Sequence, residues 1–198
     1  MKLNLTIISF LTTLSLSITG CGSSGGSSSN DSGYAPIPYD AVPVSESFKT
    51  SILSAVNKAR SVPQNCGGEI APAMNPVVWS DALYRAAKEH SDDMAETGIL
   101  SHDGSGTASD WTAQVMGLTR GSSNGERMIM NGEDRPTGEN AAGTYSADVK
   151  EVVDLWLDSP GHCLSLMSPT NTHMGVAVTE SSGTDFDYYW TQDFGDHR

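Results

Sequence analysis

The chain has 198 residues, room for one domain and an appendage. A hydrophobic content of 37% supports a buried core. The net charge of −13, or −14 once a leader carrying Lys2 is removed, argues against nucleic-acid binding, which needs a basic footprint, and fits a solvated acidic surface or attraction to cations.

The first 20 residues read as a targeting segment. Lys2 is a minimal positive region, and Leu5 to Ile18 is apolar but too short and too rich in Ser and Thr for a comfortable membrane span. The segment ends in Ile18-Thr19-Gly20-Cys21, which resembles a bacterial lipobox with Cys21 as the acylated residue; the alternative is an ordinary secretory leader with a chance cysteine. The Gly/Ser run Gly22 to Asn30 follows as a flexible tether, and Tyr34 to Pro43 adds a stiffer, proline-containing lead-in. Several acyl chains on one cysteine hold a protein stably at a membrane, where a single chain does not. Gly22 in place of Asp gives no signal for inner-membrane retention. Residues 1–20 are thus expected as a signal peptide, 21–44 as a tether and 45–198 as the folded domain. An outer-membrane lipoprotein is the expected localisation.

Within the domain, Ser45 to Arg60 predicts a helix with Phe48, Ile52, Val56 and Ala59 on one face. Val62 to Pro76 reads as a loop holding Cys66. Ser80 caps a second helix, lined by Leu83, Ala86, Ala87, His90 and Met94 and stopped by Gly98. His90 lies on that apolar stripe, where a packed core histidine is the default reading and a ligand the alternative. His102 follows in Leu100-Ser101-His102-Asp103-Gly104. The neighbouring Ser101 has no Gly-x-Ser-x-Gly elbow to make it a nucleophile. Asp110 to Gly117 predicts a short helix, and Leu118 to Thr137 a polar loop with an apolar Met128-Ile129-Met130 insert, with room for a short strand. Glu139 opens a strand. Ser146 is expected to cap the main helix, which buries Val149, Val152, Val153, Trp156 and Leu157. Pro160 pushes its predecessor out of the α region, so that helix ends near Asp158 or Ser159. Ser159 then caps a new helix with Pro160 in its first turn. His162 sits in the same turn, where the helix dipole disfavours imidazolium. Met174 to Thr179 and Tyr188 to Phe194 read as strands.

Gly138-Glu139-Asn140, Trp156 followed by Ser159-Pro160-Gly161-His162, Met174-Gly175-Val176 and Tyr189-Trp190-Thr191-Gln192-Asp193-Phe194-Gly195 resemble, in order, the motifs of the bacterial branch of the CAP superfamily, also called SCP-like. The resemblance covers about Phe48 to Gly195. It implies an α/β fold, a three-layer α-β-α sandwich. Asn57 and Arg60 resemble the polar positions that end the first helix in the family. Cys66 and Cys163 form an even pair in an exported chain, placed as in proteobacterial members that carry both; a disulfide between them is expected, with two buried thiols as the alternative.

The resemblance also implies a cleft built from two histidines and two acids. His102, Glu139 and His162 match it position by position, and Asp158 is the candidate for the fourth place, an acid that orients the others. Two neutral imidazoles with a carboxylate make a plausible zinc site, and the acids can ligate or orient. No His-Glu-x-x-His spacing supports a peptidase directly. Three functions stay open: a lipid-anchored binding module for a lipid, glycan or protein, with an optional metal; a metal-assisted hydrolase; and a structural envelope protein whose polar cluster only holds the fold.

Overall fold

The computed structural model describes residues 35–198. The expected signal peptide, the acylation site Cys21 and the Gly/Ser run lie outside the described residues. The elements run α1 (Glu46–Arg60), β1 (Gln64–Cys66), β2 (Glu69–Ala71), β3 (Val78–Trp79), α2 (Asp81–Thr97), α3 (Trp111–Met116), α4 (Asn124–Met130), β4 (Pro136–Thr144), α5 (Val149–Asp158), α6 (Pro160–Leu166), β5 (His173–Glu180) and β6 (Tyr188–Gly195).

Local chemistry sets most of these boundaries. Ser45 and Ser80, both extended, accept hydrogen bonds from the Phe48 and Leu83 N–H groups and start α1 and α2. Gly98 ends α2 at a φ of +71°, a left-handed conformation that glycine adopts without a Cβ clash. Pro160 occupies the first turn of α6 as expected, although Ser159 makes no side-chain cap bond. The cap of α5 is Asp148 rather than Ser146. The Asp148 carboxylate accepts from the Glu151 N–H, and a charged acceptor suits a helix N-terminus better than a hydroxyl. Ser146 instead donates to the Glu151 side chain.

Two stretches expected as loops carry structure. Residues 62–76 hold the β1–β2 hairpin. Residues 118–137 hold α4, closed at its start by a capping box in which Ser123 and Glu126 satisfy each other's backbone N–H groups. Met128 and Met130 turn inward from that helix and join the core, while Ile129 between them stays exposed.

The main sheet has the order β3-β5-β6-β4, with β3 parallel to β5 and the other pairs antiparallel. Helices cover both faces, giving the three-layer sandwich. On one face α1, α5 and α6 pack Ile52, Val56, Val152, Trp156 and Leu166 against Val176, Trp190 and Phe194. On the other, α2 packs Met94 against Tyr189 and Ala141, and Ala87 against Ala177. The approach of α2 is close at Gly175, where an added Cβ would stand 2.0 Å from the Tyr84 nitrogen.

Side-chain clamps join the layers. Arg60, 1% exposed, donates from Nε to the Asn75 carbonyl at 2.9 Å and from its guanidinium to those of Leu166 at 2.6 Å and Asn171 at 3.2 Å. The Cys66–Cys163 disulfide ties β1 to α6 across a sequence separation of 97. The lead-in, expected as tether up to residue 44, is docked over its last residues. The Tyr39 N–H donates to Asn131 Oδ1 at 2.7 Å, its hydroxyl to Asp92 at 2.9 Å, and the Tyr84 hydroxyl to the Val42 carbonyl at 2.6 Å. No helix among the described residues is long and apolar enough to cross a membrane.

Candidate functional site

The dipeptide Glu139-Asn140 on β4 organises the site, because successive strand residues point to opposite faces. Glu139 turns toward α2. Its Oε1 accepts from His102 Nδ1 at 2.9 Å and its Oε2 from Arg127 at 2.7 Å. Asn140 turns toward α6, where its Nδ2 donates to the His162 carbonyl at 3.2 Å and to Gln192 Oε1 at 3.0 Å. One strand thus fixes the ring of the first histidine and the backbone of the second. The two rings meet edge to face with centroids 6.1 Å apart. The His102 side chain is 53% exposed, His162 is half-buried, and the Glu139 side chain beneath them is fully buried.

His102 is held from several sides. Its carbonyl accepts from Arg127 at 2.9 Å. The carbonyl of the preceding Ser101 accepts from His90 Nε2 at 2.8 Å. Asp110 braces the following loop, accepting from the N–H groups of Gly106 at 3.0 Å and Ser122 at 2.9 Å. Because Nδ1 donates to a carboxylate, Nε2 is the His102 nitrogen left for a ligand or proton.

The electrostatics divide the groups. Burial alone would raise the Glu139 carboxyl, but the Arg127 guanidinium, His90 and the His102 hydrogen bond together outweigh it and hold the group ionised, well below the usual carboxylate range. The hydrogen bond to Glu139 raises His102. Burial, and then the charge of His102, lowers His162, which is therefore neutral near pH 7. Asp193, opposite Glu139 in the β4–β6 register, is fully buried. Burial and the Glu139 charge push its carboxyl well above the carboxylate range. His90 is the buried, neutral core histidine expected on its helix stripe, its value lowered to about 4 by burial and by Arg127.

Of the expected residues, His102, Glu139 and His162 come together. Asp158 does not join them. It lies exposed at the end of α5 and makes no hydrogen bond or ion pair to either histidine or to Glu139 among the described residues. The buried neighbours of Glu139 are instead Arg127 and Asp193, which sequence reasoning missed. Arg127 lay in the stretch read as a loop. Asp193 was visible as the inward partner in the Tyr189, Thr191, Asp193 alternation of a strand covered on both faces.

The residues present fit a metal only in part. Glu139 has both oxygens engaged, so it serves as the partner that orients His102, in the manner of the carboxylates that stand behind metal-bound histidines. Two imidazoles remain as ligands. No group of three or more His, Cys, Asp or Glu is arranged to hold an ion among the described residues.

The sequence profile of the cysteine-rich secretory protein family, CAP, matches residues 53–194. The chain belongs to the CAP family. It is 26% identical over 122 residues to the uncharacterised protein YkwD of Bacillus subtilis, an alignment spanning 61% of this chain and 40% of that relative. An outer surface protein of Borrelia burgdorferi superposes with a TM-score of 0.50 at 16% identity, covering 77% of this chain and 92% of that one. An extracellular protein of Bacillus anthracis containing an SCP domain gives a TM-score of 0.50 at 23% identity, covering 79% and 45%. These likenesses establish the CAP sandwich as the fold.

Proposed function

We propose that this CAP-family chain is an exported, lipid-anchored binding module of the cell envelope, whose His102–His162 cleft takes a divalent metal. The observation that carries the cleft reading is the meeting of two imidazoles over a buried, ionised Glu139 that fixes the His102 tautomer. Zinc accepts such nitrogens and leaves its other positions to water or a ligand, and a bound zinc would supply Lewis acidity there. His102 and His162 would hold it, with Glu139 behind His102. Export is supported by the leader-like N-terminus and by the Cys66–Cys163 disulfide, which suits an oxidising compartment. The descriptions of the Borrelia and Bacillus anthracis structures as outer-surface and extracellular proteins agree with it. Anchoring rests on the lipobox-like Ile18-Thr19-Gly20-Cys21. Among lipid, glycan and protein ligands, a lipid is favoured by a groove of about 320 Å³ between α1 and α5, lined by Ala55, Ala59, Val153 and Leu157 and flanked by Lys58 and by Lys150, which is paired with Asp154.

Two measurements test this reading. Mass spectrometry of the membrane-extracted chain should find acyl groups on Cys21, and Cys21→Ser should release the protein in soluble form. Calorimetric titration of the Cys21→Ser chain with zinc should show one site, lost in His102→Ala and in His162→Ala. Absence of zinc binding at millimolar concentration refutes the metal part. A metal-assisted hydrolase is the second reading, favoured by the His102–Glu139 hydrogen bond that leaves Nε2 free to take a proton. Hydrolysis of ester or peptide substrates that appears with zinc and vanishes in both variants decides for it. If both variants only lower the Tm, the cluster is structural.

A further inference from the structure

Arg127 is the residue of the site that the two-histidine, two-acid pattern does not include. It arrives on α4, whose start is fixed by the Ser123–Glu126 capping box. Its side chain is 1% exposed. The guanidinium donates to the Ser122 carbonyl at 2.8 Å, the His102 carbonyl at 2.9 Å and Glu139 Oε2 at 2.7 Å. One cation therefore grips His102 twice, at its backbone directly and at its ring through Glu139. The planar fork suits this shared, buried role in a way an ammonium would not.

A divalent ion seeking Glu139 as a ligand would have to displace the His102 N–H from Oε1 or the guanidinium from Oε2, and the second would leave Arg127 buried without its carboxylate, which is strongly unfavourable. Asp193 does not compensate as a ligand, because both its oxygens are shut away from solvent in the core beside Glu139. The cleft thus presents nitrogen donors and withholds oxygen donors. Nitrogen sites favour zinc and its late-transition neighbours, while magnesium and calcium require sets of oxygens.

We propose that Arg127 is a resident cation that locks Glu139 as the orienting partner of His102, so that the cleft offers a metal two imidazoles alone and excludes oxygen-seeking cations. This rests on the metal reading of the cleft and adds the residue that sets its affinity and selectivity. Titration of the full-length Cys21→Ser chain with zinc, calcium and magnesium tests it, in the native background and with Arg127→Gln and Arg127→Lys. Arg127→Gln removes the charge and frees Glu139. It should bind zinc at least tenfold more tightly and gain measurable calcium or magnesium binding. Arg127→Lys should stay within about threefold of the parent, and adding Glu139→Gln to Arg127→Gln should cancel the gain. A cooperatively folded Arg127→Gln with unchanged zinc affinity overturns the proposal and leaves the metal reading standing. Zinc binding by Arg127→Gln but not by the parent overturns both the two-imidazole site and the metal reading of the native cleft, as does binding by neither. Should Arg127→Gln fail to fold, NMR of the parent chain decides. Zinc should perturb His102 Nε2 while the Nδ1 proton bonded to Glu139 persists, and either loss of that proton or no effect at millimolar zinc overturns the proposal.

Discussion

The two faces of the sheet are built on opposite principles. Strand β6 sends Trp190 and Phe194 into the core under α1, α5 and α6, which also buries Trp156 and the disulfide. The same strand sends Thr191 and Asp193 toward α2 and α4, where Glu89, His90, Arg127 and Glu139 are also buried. The first face gains its stability from apolar area and close packing. The second buries charge, which is tolerated only where every ion has a partner or gives up its ionisation. A polar core of this kind adds little net stability, but it holds a half-exposed histidine in one tautomer and one orientation. The division separates what keeps the sandwich folded from what positions His102, while His162 rides on α6 at the edge of the dry face, held through Asn140.

Breaking the dry face should therefore cost stability and leave His102 in place. The largest effect is expected from replacing Cys66 and Cys163 together by serine. Opening a loop closed over 97 residues should cost roughly 4–5 kcal/mol in urea unfolding, by the chain-entropy argument. Next comes Trp156→Ala, which empties a fully buried site and should cost about 3–5 kcal/mol. In both variants the His102 Nδ1 proton should keep its NMR position at temperatures where the protein stays folded. A shift of that signal in either one would mean that the two faces are not independent.

On the polar face the corresponding test is acid. In the folded chain His90 titrates at about 4, and in the unfolded chain near the ordinary histidine value of about 6.5. Its folded value is depressed, so its contribution is fully present above pH 6.5 and falls as pH drops from there to 4, where only the unfolded chain takes up the proton. The loss should reach roughly 3 kcal/mol by pH 4. His90→Gln keeps a donor for the Ser101 carbonyl and should flatten stability over that window. Groups facing His90, such as Glu139 and Arg127, remain in the variant, so the difference between the two curves isolates the imidazole. An unchanged slope would assign the acid sensitivity elsewhere.

The dry face was the more legible one from sequence. Its helices carry apolar residues at helical spacing, and serine and proline punctuate their starts, so α1 and α6 fall close to where local chemistry puts them, as α2 does on the other face. The polar face was read in part. Histidines and an acid stand out as residue types, and motif order brought His102, Glu139 and His162 to one place. Their partners were hidden because burial of a charge is decided by tertiary packing, which no local pattern encodes. Asp158 looked suitable by type and lies exposed at the end of α5. Arg127 was hidden behind the loop reading of residues 118–137, although Ser123 followed by Glu126 three residues later was the local signal that a helix starts there.

That overlooked cap yields the smallest expected effect and a direct contrast between the faces. Ser45 caps α1 on the dry side and Ser123 caps α4 on the polar side, each accepting a backbone N–H three residues on. Either serine changed to alanine should cost about 1 kcal/mol. Their consequences for the cleft should differ. Fraying the first turn of α4 loosens Arg127 at its next residues, and with it both grips on His102. Ser123→Ala should thus speed exchange of the His102 Nδ1 proton with solvent, while Ser45→Ala, at matched loss of Tm, should leave that rate unchanged. Equal exchange rates in the two variants would show that α4 holds Arg127 through its later turns and core methionines alone.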